Sequence, residues 1–100
     1  MVLTDSHKKP VVIAEISGNH GGSFEKAKCL LDESAKAGAD YVKLQTYKPE
    51  TITVNGRDSR FRINSGLWKG YNLHDLYSKA MTPWEWHKPL FDYAEKVGVK

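Results

Sequence analysis

Two charged residues in this sequence are hard to explain as packing. The stretch VVIAEISGNH, Val11 to His20, places Glu15 among Val12, Ile13, Ala14 and Ile16, and a lone charge in such a run is costly to bury. The stretch YVKLQTY, Tyr41 to Tyr47, places Lys43 in a similar run, with Gln45 just beyond it. Charged groups so placed read as kept for chemistry at a site rather than for packing. The plainer reading is a buried ion pair that only satisfies itself. Such a pair contributes little net stability, because desolvation offsets most of its attraction, so stability is a weak reason to keep one.

Other candidates are weaker. SGNHGG, Ser17 to Gly22, resembles an anion-cradling turn before a helix, but matches neither G-x-G-x-x-G nor a P-loop. His20 could act as base or metal ligand, yet beside glycines it reads more simply as a turn residue. His7, His74 and His87 show no ligand-like spacing with an acidic partner, apart from Asp75 next to His74. No complete metal site is legible in the sequence.

The elements that must position these residues follow from periodicity. Val11 to Ser17 reads as a buried strand, bounded by Pro10 and by Gly18-Asn19. Ser23 is placed to cap a helix, with Glu25 favouring its dipole. Phe24, Ala27, Leu30, Leu31, Ser34 and Ala35 recur at helical spacing until Gly38. Tyr41 to Tyr47 reads as a second strand. Strand, helix, strand at this spacing is a βαβ unit with parallel strands and a right-handed crossover. Side chains alternate across a strand. Val12, Ala14 and Ile16 therefore share one face and Ile13, Glu15 and Ser17 the other; Val42 and Leu44 oppose Tyr41, Lys43 and Gln45. This gathers Glu15, Ser17, Lys43 and Gln45 toward the C-terminal ends of parallel strands, where α/β sheets and barrels bind ligands.

Downstream, Lys48 to Gly70 reads as a long polar loop, a length that usually carries function. Leu73 to Ala80 reads as a short helix. Thr82-Pro83-Trp84-Glu85 has the form of a capping box with proline at the first helical position, and Pro89 predicts a kink or restart. Leu90, Phe91, Ala94 and Val97 form the expected buried stripe, Gly98 ends it, and Val99-Lys100 looks like the first step of another strand. Parallel sheets are normally covered on both faces, so this pattern reads as the beginning of a larger α/β domain.

Composition bounds the class. The 100 residues are 40% apolar and 27% charged, ordinary for a globular chain, with a net charge of +3. No apolar run could span a bilayer, and MVLTDSHKKP reads as a solvated lead-in rather than a signal core. A single cysteine, Cys29, reads as a small helix residue and suits a reducing compartment, so the cytoplasm is the default. Arg57, Arg60 and Arg62 around Phe61 could contact single-stranded nucleic acid. Asp58 dilutes that patch and no nucleic-acid module surrounds it, so a solvated loop is the expected reading.

AEISGNH followed by ADYVKLQTY resembles the sialic acid synthase family. The later stretch GLWKGYNLHDLYSKAMTPWEWHKPLFDYA is similar to the pseudaminic acid branch of that family, where GLW-G-x-x-L-x-x-LY precedes TPWEWH. The resemblance runs from about Val11 to Val99. It implies a (β/α)8 TIM barrel with a small C-terminal domain resembling antifreeze proteins. It also implies condensation of phosphoenolpyruvate with an open-chain amino-sugar aldehyde, assisted by a divalent metal (Mn2+ or Mg2+). C3 of phosphoenolpyruvate would attack the metal-polarised aldehyde, water would add at C2, and phosphate would leave through C–O cleavage. In the pseudaminic branch the sugar is a 2,4-diacetamido-2,4,6-trideoxy-altrose.

The resemblance further implies that Glu15 faces the aldehyde and water, that Lys43 faces phosphoenolpyruvate, and that Gln45 hydrogen-bonds near the same substrate. Asn19 and His20 match a pair that shapes the loop around the substrate. Arg62, Asn64 and Trp68 fall where the family's second loop approaches the sugar. The departure is length, since such a barrel needs about 250 residues and eight strands. Residues 1–100 are therefore expected to be the N-terminal βαβ part of the barrel, inactive alone, with the metal ligands outside this chain. The full-length protein is expected to be a cytoplasmic homodimer with no nucleic-acid or membrane partner. The alternatives are an N-acetylneuraminate or legionaminate synthase and, from another class, a standalone binding module.

Overall fold

The first strand, β1, spans Ile13–Ser17 and pairs in parallel with β2, Tyr41–Leu44, in the computed structural model, which describes residues 9–100. His7 and most of the N-terminal lead-in lie outside the described residues. Between the strands runs α1, Phe24–Lys36. Ser23 caps it as expected, its hydroxyl accepting from the Lys26 amide at 3.2 Å.

Both strands are shorter than their patterns suggest. Val11 and Val12 precede β1 and are exposed, as is Ile13. Val12 still tethers the entrance: its N–H donates to Asp40 Oδ2 at 2.8 Å, and its carbonyl accepts from the Asp40 and Tyr41 amides. The pairing sets Ile13 against Tyr41, Ala14 against Val42 and Glu15 against Lys43, then slips, so that Ser17 rather than Ile16 faces Leu44. Ser17 takes a left-handed backbone at φ 47°, which for a side chain with a Cβ costs on the order of 1 kcal/mol. This bulge ends the ladder before Gln45, and Gln45 to Tyr47 lie beyond β2.

Leu73–Ala80 forms α2, with the bounds that its periodicity predicts. The next segment departs from its motif. Thr82 makes no capping bond; a 3-10 turn over Trp84–Trp86 follows Pro83 without a side-chain cap and leads directly into α3, His87–Val97. The restart expected near Pro89 thus falls at His87. Pro89 itself sits in the first turn of α3, where a missing N–H removes no helical bond.

The core lies between α1 and α3 over one face of the strand pair. Ala27, Leu31, Leu90, Ala94 and Val99 are buried together, with Val42 and Leu44 of β2 packed against them. Phe91 departs from its expected place in the stripe: it is 66% exposed, with its ring edge-on to His87. Gly98, at φ 85°, closes α3 with its amide on Ala94 and Glu95 carbonyls. Lys100 then joins the free edge of β2, since Val42 N–H donates to its carbonyl at 2.7 Å and its own amide donates to Asp40 at 3.1 Å. These two bonds lie where the expected further strand would pair, although the sheet has only two strands among the described residues. Among the described residues, no helix is long and apolar enough to cross a membrane.

Candidate active site

Glu15 and Lys43, which face one another in the β1–β2 register, bring their side chains together: Lys43 Nζ lies 3.4 Å from Glu15 Oε1. The Ser17 hydroxyl donates to the same oxygen at 3.4 Å. The pair is not buried as its surrounding residues suggest. The Lys43 and Glu15 side chains are 60% and 47% exposed, because the helices cover only the opposite face and Ile13 and Tyr41 beside them are also exposed.

Just past the strand ends lies a cavity of about 280 Å³ lined by Ser17, Asn19, Gln45, Tyr47, Trp68 and Tyr77, among others. It gathers three of the residues expected to bind substrate: Asn19, Gln45 and Trp68. Its floor is built by backbone capture. The Tyr47 hydroxyl donates to the Tyr77 carbonyl at 2.9 Å, and burial, with Tyr77 adding, pushes the Tyr47 phenol up, keeping it a donor. Gly18 lets the turn after β1 press on the end of α2, since a Cβ there would meet the Ala80 side chain and carbonyl at 3.0 Å. A second cavity of about 440 Å³ shares Gly18, Trp68 and Ala80 with the first and adds Gly21, Gly22 and Lys79.

His20 does not face either cavity. It is fully buried, its ring edge-on to Trp86 with centroids 5.2 Å apart, and its Nδ1 accepts from the Gly22 amide at 3.0 Å. Burial pushes its pKa below 6.5; the Ala80 backbone offsets part of this and Lys26 adds to it. The neutral ring therefore carries its proton on Nε2, which makes no hydrogen bond of normal geometry. This placement suits a residue that shapes the loop.

Arg62 and Asn64 are exposed and line neither cavity. Arg62 instead bridges to Asn72, closing a hairpin-like loop in which Ile63 and Gly70–Tyr71 exchange backbone bonds and Trp68 stands edge-on to Tyr71. The other two arginines of the basic patch are occupied: Arg57 pairs with Asp75 and Arg60 with Asp58, lowering both carboxyls' pKa values. Tyr47 lines the cavity and continues the alternation of Tyr41, Lys43 and Gln45, a pattern that marks it in the sequence. Thr82, legible in the sequence only as a cap, bonds the Gln45 backbone instead.

The chain is α/β, with a charged pair on its parallel strands and a cavity just past their carboxyl ends, the end at which α/β folds commonly bind ligands. The chain is a member of the NeuB family, whose sequence profile matches residues 30–100. It is 43% identical over 95 residues to the pseudaminic acid synthase of Campylobacter jejuni subsp. jejuni serotype O:2, covering 95% of this chain and 28% of that protein. It is 46% identical over 90 residues to the pseudaminic acid synthase of Helicobacter pylori, covering 90% of this chain and 26% of that protein. The chain thus spans about a quarter of the length of the curated relatives it matches. The N,N'-diacetyllegionaminic acid synthase of Campylobacter jejuni is 29% identical over 93 residues, covering 92% of this chain and 28% of that protein. Among solved structures, N-acetylneuraminic acid (sialic acid) synthetase from Leptospira borgpetersenii, in complex with citrate, superposes with a TM-score of 0.67. The match covers 97% of this chain and 31% of that one, and at 24% identity it shows a shared fold.

Proposed function

We propose that residues 1–100 are the N-terminal part of the (β/α)8 barrel of a pseudaminic acid synthase. The full-length enzyme would condense phosphoenolpyruvate with 2,4-diacetamido-2,4,6-trideoxy-L-altrose to give pseudaminic acid and phosphate. The observation that carries this reading is a difference in similarity: 43% and 46% identity to pseudaminic acid synthases, against 29% and 26% to legionaminic acid synthases. The parallel strand pair, with Lys100 hydrogen-bonded to the free edge of β2, is consistent with a barrel built in sequence order.

Lys43 supplies a point positive charge for the phosphoenolpyruvate anion. Gln45, which lines the cavity, hydrogen-bonds the same substrate. Glu15, in contact with Lys43 at 3.4 Å, accepts a proton from, or orients, the water that adds at C2. Asn19 and His20 shape the turn beside them, and Trp68 offers an aromatic wall to the sugar. Arg62 and Asn64 stand on the loop that carries Trp68, from which they would approach the sugar.

The family resemblance implies a divalent cation, Mn2+ or Mg2+. Among the described residues, no three His, Cys, Asp or Glu side chains are grouped to hold one, and Glu15 is turned to Lys43 and Ser17. The residues that would hold the ion belong to the rest of the protein. The same resemblance supports a cytoplasmic homodimer.

The test is product formation by the purified full-length protein. Phosphoenolpyruvate is supplied with the altrose sugar or with the amino sugars used by N-acetylneuraminate and legionaminate synthases, and phosphate and the nine-carbon acid are measured. Preferred turnover of the altrose sugar is expected; preferred turnover of another sugar would move the protein to that branch.

A further inference from the structure

Gln45 stands at a place where the sheet no longer holds it. The bulge at Ile16 makes Ser17 the partner of Leu44, so the β1 ladder ends one residue before Gln45. Thr82 takes over. The Thr82 amide donates to the Gln45 carbonyl at 2.9 Å, and the Thr82 hydroxyl accepts from the Gln45 amide at 3.3 Å. Both backbone polar groups of Gln45 are thus satisfied by one residue, and that residue is fully buried.

The hydroxyl has an alternative use. Thr82 opens a capping-box sequence, and a threonine cap on the following turn would contribute about 1 kcal/mol. The turn over Trp84–Trp86 starts without a side-chain cap, its threonine turned back to Gln45. Neighbouring contacts hold the same stretch: the Thr46 hydroxyl meets His87 Nε2, and the Tyr47 hydroxyl meets the Tyr77 carbonyl. Gly18 closes on Ala80 from the β1 side. The short connection from Ala80 to Thr82 therefore lies between the turns that leave the two strands.

We propose that Thr82 is a positioning residue: by replacing the missing β1 partner, it sets the direction in which the chain leaves β2 and so aims the Gln45 side chain into the strand-end cavity. This rests on the reading of Gln45 as a phosphoenolpyruvate ligand in the synthase.

The test uses the full-length enzyme. Thr82→Val keeps the branched shape and removes the acceptor, whereas Thr82→Ser keeps the acceptor. Thr82→Val is expected to raise KM for phosphoenolpyruvate about tenfold, the size of effect that follows from leaving a partly buried amide unpaired near the ligand. Thr82→Ser should return KM to within about twofold of wild type. In a Gln45→Ala background, Thr82→Val should add nothing, since the two act as one unit. An unchanged KM in folded Thr82→Val, or a full additional effect on top of Gln45→Ala, would overturn the proposal. If Thr82→Val does not fold, Thr82→Ala is read in the same way. Loss of folding in both variants would make the role structural and overturn it equally. Hydrogen exchange separates this from the enzyme assignment: the Gln45 amide should exchange faster in Thr82→Val, whatever the wild-type protein turns over. Unchanged protection there refutes the role of Thr82, while wild-type protein that forms no nonulosonic acid refutes the assignment of function.

Discussion

Lys43 Nζ and Glu15 Oε1 lie 3.4 Å apart across neighbouring parallel strands, on a face that no helix covers. At this level of exposure an ion pair contributes only about 0–1 kcal/mol to stability. Within residues 9–100 the pair therefore adds little to stability, which is consistent with the proposed role of Glu15 and Lys43 toward a ligand. Under the proposed function, Glu15→Gln in the full-length protein should lower turnover strongly with little change in apparent substrate affinity, since it keeps size and most hydrogen bonding but removes the proposed base. Near-normal turnover in a variant that unfolds much more readily would show the pair to be structural.

Lys43→Ala should act on binding. Loss of the proposed charge-assisted contact to the phosphoenolpyruvate anion would be on the order of 2–4 kcal/mol, seen as a higher KM for that substrate and a smaller effect on the sugar. Equal effects on both substrates would point away from a direct contact.

Gly18→Ala tests the contact between the turn after β1 and the end of α2. The added Cβ would stand 3.0 Å from the Ala80 side chain and carbonyl, so one of the two backbones must shift. A destabilisation of about 1–3 kcal/mol is expected, together with reduced activity through displacement of Asn19. Denaturant titration and steady-state rates read the two effects separately.

His20 should titrate below its ordinary 6.5 because burial disfavours the charged ring. The sign follows from proton uptake: below pH 6.5 the unfolded chain binds a proton that the folded chain resists, so this contribution is intact above 6.5 and declines as pH falls from there toward the folded-state pKa. An NMR titration of the His20 ring measures it. A midpoint at or above 6.5 would mean that the ring is not held neutral.

Leu90→Ala and Phe91→Ala, adjacent in α3, should differ sharply. Leu90 is 1% exposed and packs in the α1–α3 core, so its truncation should cost about 2–5 kcal/mol. Phe91 lies outside that core, and its truncation should cost about 0.5 kcal/mol. Chemical denaturation of the two variants compares them directly.

Local signals were enough for much of this chain. Ser23, the helical spacing from Phe24 onward, the Leu73–Ala80 helix and the Gly98 stop all act within a few residues, so the sequence alone determined those elements. Alternation along β1 and β2 also determined that Glu15 and Lys43 share a face. What it could not determine is anything set by residues distant in the chain. The register slip at Ile16 depends on how β1 meets β2, and it leaves Gln45 without a strand partner. Thr82 reads locally as a helix cap, yet its hydroxyl meets a stronger demand from the Gln45 amide, brought near only when α2 folds back over the strand ends. Exposure of Glu15 and Lys43, and of Phe91 on α3, was likewise decided by which faces the helices cover. Periodicity tells which side chains share a face; only tertiary packing decides whether that face meets protein or solvent.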